Sequence, residues 1–269
     1  MHCVICKQPS DASISVEHII PESLGNEEHL LPKGIVCDSC NNYISREIEG
    51  PLLESPYFRD IRFRKGILSK KHRYPAVQGL HPESRTVVEF VRDPEDDSLS
   101  MGPASEKDNE KWIKSVTPSE TFSIYVPAEY PDPDRHLMSR FIAKVGIETL
   151  AASGLHVKGG LDELVNKAEL DELRKHIRIG DPSKDWPFHS RRIYPENSIF
   201  VEQGQPCEIL HEFKILITPQ SEFFVVLVLF GVEYALNLGG PEIDGYLHWL
   251  EQNNGRSPLV HTDNSRRSD

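Results

Sequence analysis

Residues 1–42 read MHCVICKQPSDASISVEHIIPESLGNEEHLLPKGIVCDSCNN, and the four cysteines in this stretch decide how the chain begins to fold. Cys3 and Cys6 form one CxxC pair, and Cys37 and Cys40 form a second. Two such knuckles offer four thiolates, the ligand set of a closed tetrahedral zinc site. A redox role calls for one CxxC beside a βαβ pattern, not for two pairs close together. In a reducing compartment neither pair is a disulfide. Cys3, Cys6, Cys37 and Cys40 are therefore expected to hold a structural Zn2+. Cys207 stands alone in QPCEILHEF and reads as a small packing residue.

The gap between the knuckles, residues 7–36, exceeds the roughly 15–20 residues of simple zinc ribbons. It contains SVEHIIPESLG at 15–25, so zinc would clamp the ends of a loop with Glu17 and His18 near its middle. A piece this small makes little core of its own, and a metal takes the place of one. Residues 12–20 can form a strand, which Pro21 ends because it has no N–H for a ladder. Gly25-Asn26 marks a turn, and residues 34–37 are expected as a second strand. Asp38 or Ser39 can cap a helix that ends near Gly50-Pro51. That places Glu17 and His18 at the exit of the first strand, with Asn41 and Asn42 at the start of the helix. Alone, a Glu-His pair is usually solvated, and Asn-Asn usually only caps. Inside a double CxxC frame those readings lose their weight.

Glu17-His18-Ile19-Ile20-Pro21, followed by Cys37-Asp-Ser-Cys40-Asn41, resembles the HNH endonucleases and their ββα-metal finger. Ser-Leu-Gly after the proline and Asn-Asn after the second knuckle are similar to a subgroup of small bacterial HNH proteins. The resemblance covers about the first 55 residues. It implies His18 as general base, Glu17 and Asn41 as ligands of a catalytic Mg2+ or Mn2+, and a separate structural zinc. Asn42 stays open as the ligand in place of Asn41. The chemistry agrees. An imidazole suits water activation near neutral pH, and a hard divalent ion takes carboxylate and carboxamide oxygens. Two positions depart from the family: Glu17 stands where Asp is common, and Pro32 occupies the place of the middle Asn that restrains the loop. Asn26 and His29 are the residues that could take over that restraint.

The net charge of −12 argues against a uniformly nucleic-acid-binding surface. One basic strip, RDIRFRKGILSKKHR at 59–73, runs against that average. Arg59, Arg62, Arg64, Lys65, Lys70, Lys71 and Arg73, together with Arg46, are the candidates for contact with a nucleic-acid backbone. A solvated face is the plain alternative. No apolar run approaches the ~20 residues of a membrane span, and MHCVICKQP lacks the pattern of a signal peptide, so a cytoplasmic location and no membrane partner are expected.

The expected fold class is α+β: a small zinc-stapled finger over 1–55, a larger α+β domain with an antiparallel sheet over 56–251, and a frayed polar tail over 252–269. Strands are expected at 86–92, 121–126, 199–202, 208–217, 223–230 and 233–238, and helices at 135–153 and 161–177. Within the larger domain, DNA binding, ligand sensing and pairing as a homodimer all stay open. Its scattered histidines and three tryptophans read as packing residues. The resemblance implies a metal-dependent endonuclease cutting phosphodiester bonds, with double-stranded DNA as partner and restriction or defence against foreign DNA as setting. The competing expectations are a catalytically weakened zinc-finger binding module and an HNH-type nuclease acting on RNA.

Overall fold

The computed structural model describes residues 1–117, 121–184, 186–202 and 204–259. Strand β1 (Glu17–His18) pairs antiparallel with β2 (Leu30–Leu31), Glu17 opposite Leu31 and His18 opposite Leu30. The first strand is shorter than the expected 12–20 and the second lies at 30–31 instead of 34–37, and the backbone shows why. The N–H groups of Ile14 (3.1 Å) and Ser15 (2.9 Å) go to the Asp38 carboxylate, so the segment before β1 is tied to a helix start instead of a strand. Residues 34–37, expected as the second strand, serve the first knuckle. Gly34 is left-handed at φ 89°, Ile35 accepts from the Val4 N–H at 3.0 Å, and the Cys37 N–H points at the Cys3 sulfur.

Helix α1 (Asp38–Ile44) continues into a π turn (Ser45–Glu49) and then α2 (Gly50–Leu53). The expected stop at Gly50-Pro51 is bridged by that wider turn, in which the Gly50 N–H reaches back to the Ser45 carbonyl. A proline one residue later has no N–H to place, and a locally widened helix tolerates it.

By packing, the described chain divides into two compact units. Residues 52–133 make one, and residues 1–51 with those from 134 onward make the other. The 52–133 unit holds α3 (Pro56–Arg64), an antiparallel meander of β3 (Val77–His81), β4 (Thr86–Arg92) and β5 (Leu99–Pro103), and α4 (Asn109–Val116). Leu52, Phe58, Ile61, Ile67, Val77, Val88 and Trp112 are buried apolar residues of this unit. The strand expected over 121–126 is reduced among the described residues to a bridge between Leu80 and Tyr125, although 118–120 lie outside them.

In the other unit α5 (Arg135–Gly154), α6 (Gly160–Asn166) and α7 (Asp171–Ile179) precede the strands. A 3-10 turn over Ala168–Leu170 divides what periodicity read as one helix. Then come β6 (His189–Arg192), the hairpin β7 (Phe200–Glu202) with β8 (Gln205–Cys207), and β9 (His211–Ile217), β10 (Phe223–Leu229), β11 (Val232–Asn237) and α8 (Asp244–Gln252). The sheet runs β6-β11-β10-β9, all antiparallel. Helix α5 packs on it so closely that a Cβ at Gly146 would lie 2.4 Å from Leu238, room that only glycine leaves. Arg140, Lys144 and Glu148, four residues apart, form a stripe on one side of α5, and all three are buried. That helix also meets β2 and the π turn, so the sheet lies against one part of it and the N-terminal elements against another. The tail is ordered at least to Leu259, which is buried beside Tyr194 and Phe200; 260–269 lie outside the described residues. No described helix is long and apolar enough to cross a membrane.

Candidate active site

The two knuckles close on one another. The Sγ atoms of Cys3, Cys6, Cys37 and Cys40 all lie within 4.8 Å of one another, and those of Cys6 and Cys37 are 3.6 Å apart. Four sulfurs placed tetrahedrally at the Zn–S distance stand about 3.8 Å from each other, so the thiols fit zinc. Backbone N–H groups already face the sulfurs, Cys37 to Cys3 at 3.3 Å and Cys40 to Cys37 at 3.4 Å. Without a cation the thiols are in conflict. The hydrogen bond with Cys40 pulls Cys3 down to about 5, and that same bond, with burial and the neighbouring sulfurs, pushes Cys40 far up. Burial pushes Cys6 up to about 11. A dication at the centre lets all four ionise.

Across from this frame, β1 presents Glu17 and His18 on alternate faces, as a strand must. Glu17 is 5 % exposed, and His18 is half-buried. Asn41 is half-buried in the first turns of α1, and its Nδ2 donates to the Val16 carbonyl at 3.4 Å. That contact engages the amide nitrogen and ties Asn41 to the residue that precedes Glu17. Asn42 is exposed and makes no such contact among the described hydrogen bonds. Glu17 and Asn41 carry oxygen donors of the kind a hard divalent ion prefers, and the Glu17 carboxylate is also engaged by Lys144.

The place of the missing middle Asn is taken by Asn26. Its side chain is fully buried; Nδ2 donates to the carbonyls of Ile20 (2.6 Å) and His29 (3.2 Å), and Oδ1 accepts from the N–H groups of Glu28 (3.1 Å) and His29 (2.9 Å). One carboxamide therefore closes the loop between the two strands with all its main bonding capacity used. Pro32 carries no such burden. His29, the other residue considered for this task, takes part through its backbone while its ring is edge-on to Phe213.

A second cluster lies directly behind β1. Lys144, with no exposed surface, places Nζ 2.9 Å from Glu17, 3.1 Å from Glu49 and 3.0 Å from Glu148. It also donates to the carbonyl oxygens of His18 at 2.5 Å and Ile19 at 3.1 Å. Burial works against the ammonium, but Glu148, Glu17 and Glu49 outweigh it and hold Lys144 well above the usual lysine range. Burial pushes Glu148 well up, with Glu17 and Glu49 adding to the effect and Lys144 offsetting part of it. Two arginines grip the same elements. Arg174 donates to the Val4 carbonyl inside the first knuckle at 2.8 Å, and Arg140 to the Tyr43 hydroxyl on α1 at 2.8 Å. The Lys144, Glu49, Glu148, Arg140 and Arg174 roles escaped the sequence. The available signal was the charged spacing on α5, which resembles a solvated face.

The basic strip is not one surface. Arg62 is 3 % exposed and sits in the core of the 52–133 unit, where burial pulls its guanidinium down, so it is withdrawn from the backbone-contact candidates. Arg59 donates to the Ala76 carbonyl at 2.5 Å, Arg64 pairs with Asp60 at 2.7 Å, and Lys65 is half-buried. Lys70, Lys71 and Arg73 stand exposed on a tight turn in which the Ser69 N–H bonds the Arg73 carbonyl. In the other unit Arg46 is exposed on the π turn and pairs with Glu47 at 2.6 Å.

Residues 3–56 match the family model described as HNH endonuclease. No curated protein and no solved structure matches the chain. The matched span runs from Cys3, the first residue of the thiol cluster, through β1, β2, α1 and α2. Over residues 3–56 the chain is similar to the HNH endonucleases.

Proposed function

We propose that the protein is a metal-dependent endonuclease that hydrolyses phosphodiester bonds in DNA, with Cys3, Cys6, Cys37 and Cys40 holding a structural Zn2+. The observation that carries this reading is the frame around His18: a strand residue of the matched family domain, on a loop that Asn26 closes and beside a helix start that offers Asn41. His18 takes a proton from the attacking water at its imidazole. Glu17 and Asn41 would hold the catalytic Mg2+ or Mn2+, which stabilises charge on the phosphate and the leaving oxygen. Arg46 in one unit and, separately, Lys70, Lys71 and Arg73 in the other are the exposed candidates for phosphate contact, with Arg59, Arg64 and Lys65 already engaged in part by their own unit. Restriction or defence against foreign DNA suits such an activity.

The competing reading of a weakened binding module rests on Pro32, and the Asn26 hydrogen bonds favour the nuclease over it. The test is nicking of supercoiled plasmid with Mg2+ or Mn2+, beside His18→Ala. Wild type is expected to nick, and the variant to lose about 10²–10⁴-fold in rate, the usual range for a general base. Zinc-loaded protein that cuts no DNA with either ion would sink the proposal, and cleavage confined to RNA would move the substrate.

A further inference from the structure

Beyond the family's own motif, the helix α5 that follows the matched segment by some eighty residues reaches back into the site. The Lys144 ammonium meets five oxygens: carboxylates of Glu17, Glu49 and Glu148, and the carbonyls of His18 and Ile19. Two of those five belong to the backbone on either side of the His18–Ile19 bond, and a third belongs to Glu17. An ammonium has three N–H donors, so it distributes them over a cage of acceptors as a small metal ion would. Lys144 is fully buried at the middle of a helix pinned to the four-stranded sheet through Gly146, and cannot move without unpacking that helix.

Resting on the nuclease reading, we propose that Lys144 is a positioning residue of the active site: it fixes the strand that carries His18 and fixes the carboxylate of Glu17, from outside the HNH segment. The alternative, that Lys144 merely neutralises buried acids, accounts for the three carboxylates. It does not account for the two carbonyls, which are neutral and belong to His18 at the end of β1 and to Ile19 directly after it. β1 is two residues long and has one partner strand. A pair that short holds no fixed position alone, so its geometry has to be imposed by side chains. Asn26 imposes it from the loop side and Lys144 from the helix side. Misplacing a reacting group by about 1 Å costs on the order of 10²-fold in rate.

The test uses the full-length, zinc-loaded protein and three variants. Lys144→Met removes the ammonium, and Lys144→Met with Glu148→Met also removes one of the acids left behind, which guards against an unfolded product. Zinc content and duplex affinity are measured for each, with single-turnover nicking in Mn2+ and amide hydrogen exchange at Ile19 and Val4. The Ile19 N–H bonds the His29 carbonyl across β1 and β2, and the Val4 N–H bonds Ile35 at the knuckles. The expected result for the double variant is full zinc and unchanged duplex affinity, with nicking down about 10²-fold. Protection should fall at least about tenfold at Ile19 and stay level at Val4. Lys144→Arg, which restores a cation to the cage, should recover part of both losses.

A folded double variant that nicks within about threefold of wild type, or that loses protection equally at both amides, overturns the assignment. So does a Lys144→Arg that behaves as Lys144→Met. A wild type that cuts nothing fails differently: it removes the nuclease reading and the positioning role with it, while the Ile19 exchange still reports whether Lys144 clamps the strand.

Discussion

The thiol cluster joins residues 3, 6, 37 and 40, and the lysine cluster joins residues 17, 49, 144 and 148. Both hold the same few N-terminal elements, and both do so by gathering anionic groups around a positive centre. They differ in where the positive charge comes from. The thiols need a dication from outside, and their own ionisation is frustrated without it. The acids already have their cation, built into the chain. A cluster that needs a metal can be made from any four ligands at the right local spacing. One that supplies its own cation has to bring it from a helix packed elsewhere in the unit.

The first way to break this comparison is to take the zinc out. Structural zinc in small fingers contributes about 10–16 kcal/mol at neutral pH, whereas breaking a buried ion cluster by removing one partner costs about 3–5 kcal/mol. Chelation of the full-length protein is therefore expected to release the knuckles and, with them, the β1–β2 pair, so that protection at Val4 and Ile19 disappears together. If Ile19 stays protected in zinc-free protein, the lysine centre holds the strand unaided and the ranking of the two is reversed.

That asymmetry also explains what could be read in advance. Four cysteines in two CxxC pairs announce themselves because their ligand geometry is local, and Glu17, His18 and Asn41 stood out by their place inside that frame. The strand at 86–92 and the helix beginning at Arg135 followed from periodicity in the same way. Lys144 could not be found so, because its meaning depends on acids near the chain's start, more than ninety residues away. A Lys-Glu pair four residues apart on a helix is ordinarily a solvated pair. Here it is buried, because α5 packs on the sheet through Gly146 and also meets the N-terminal elements. The short strands were misjudged for a related reason. Asp38, read only as a helix cap, also takes the N–H groups of Ile14 and Ser15, which a longer β1 would have needed.

Asn26 belongs to neither centre and holds its loop with neutral hydrogen bonds alone. Asn26→Asp keeps the two bonds accepted by Oδ1, removes the two donated to Ile20 and His29, and sets a carboxylate against their carbonyl oxygens. The expected cost is about 2–3 kcal/mol in urea unfolding, from lost bonds and buried acceptors left without donors. Zinc content should not change, since the knuckles are not touched. A variant as stable as wild type would mean that zinc and Lys144 suffice to set the loop between the strands. Asn26 would then be no substitute for the missing family residue.

The smallest expected effect tests whether the lysine centre carries more acid than it can use. Glu148 is buried on all sides, and its carboxyl is pushed well above the usual range by that burial, with Glu17 and Glu49 contributing. A carboxyl raised in the folded state favours folding fully below the unfolded value, about 4.3 for Glu, and that advantage is lost as the pH climbs toward the folded value. Glu148→Gln keeps the shape and removes the titration. Relative to wild type the variant should gain as pH rises, its melting midpoint improving by about 2–4 °C between pH 4.5 and pH 8. Lys144 adds no slope in that window, because its own raised value shifts only the alkaline side. A difference that stays flat, or that favours wild type at pH 8, would show Glu148 ionised and satisfied by Lys144. The cage would then hold three full negative charges around one ammonium, and the likeness between the two centres would be closer than their chemistry suggests.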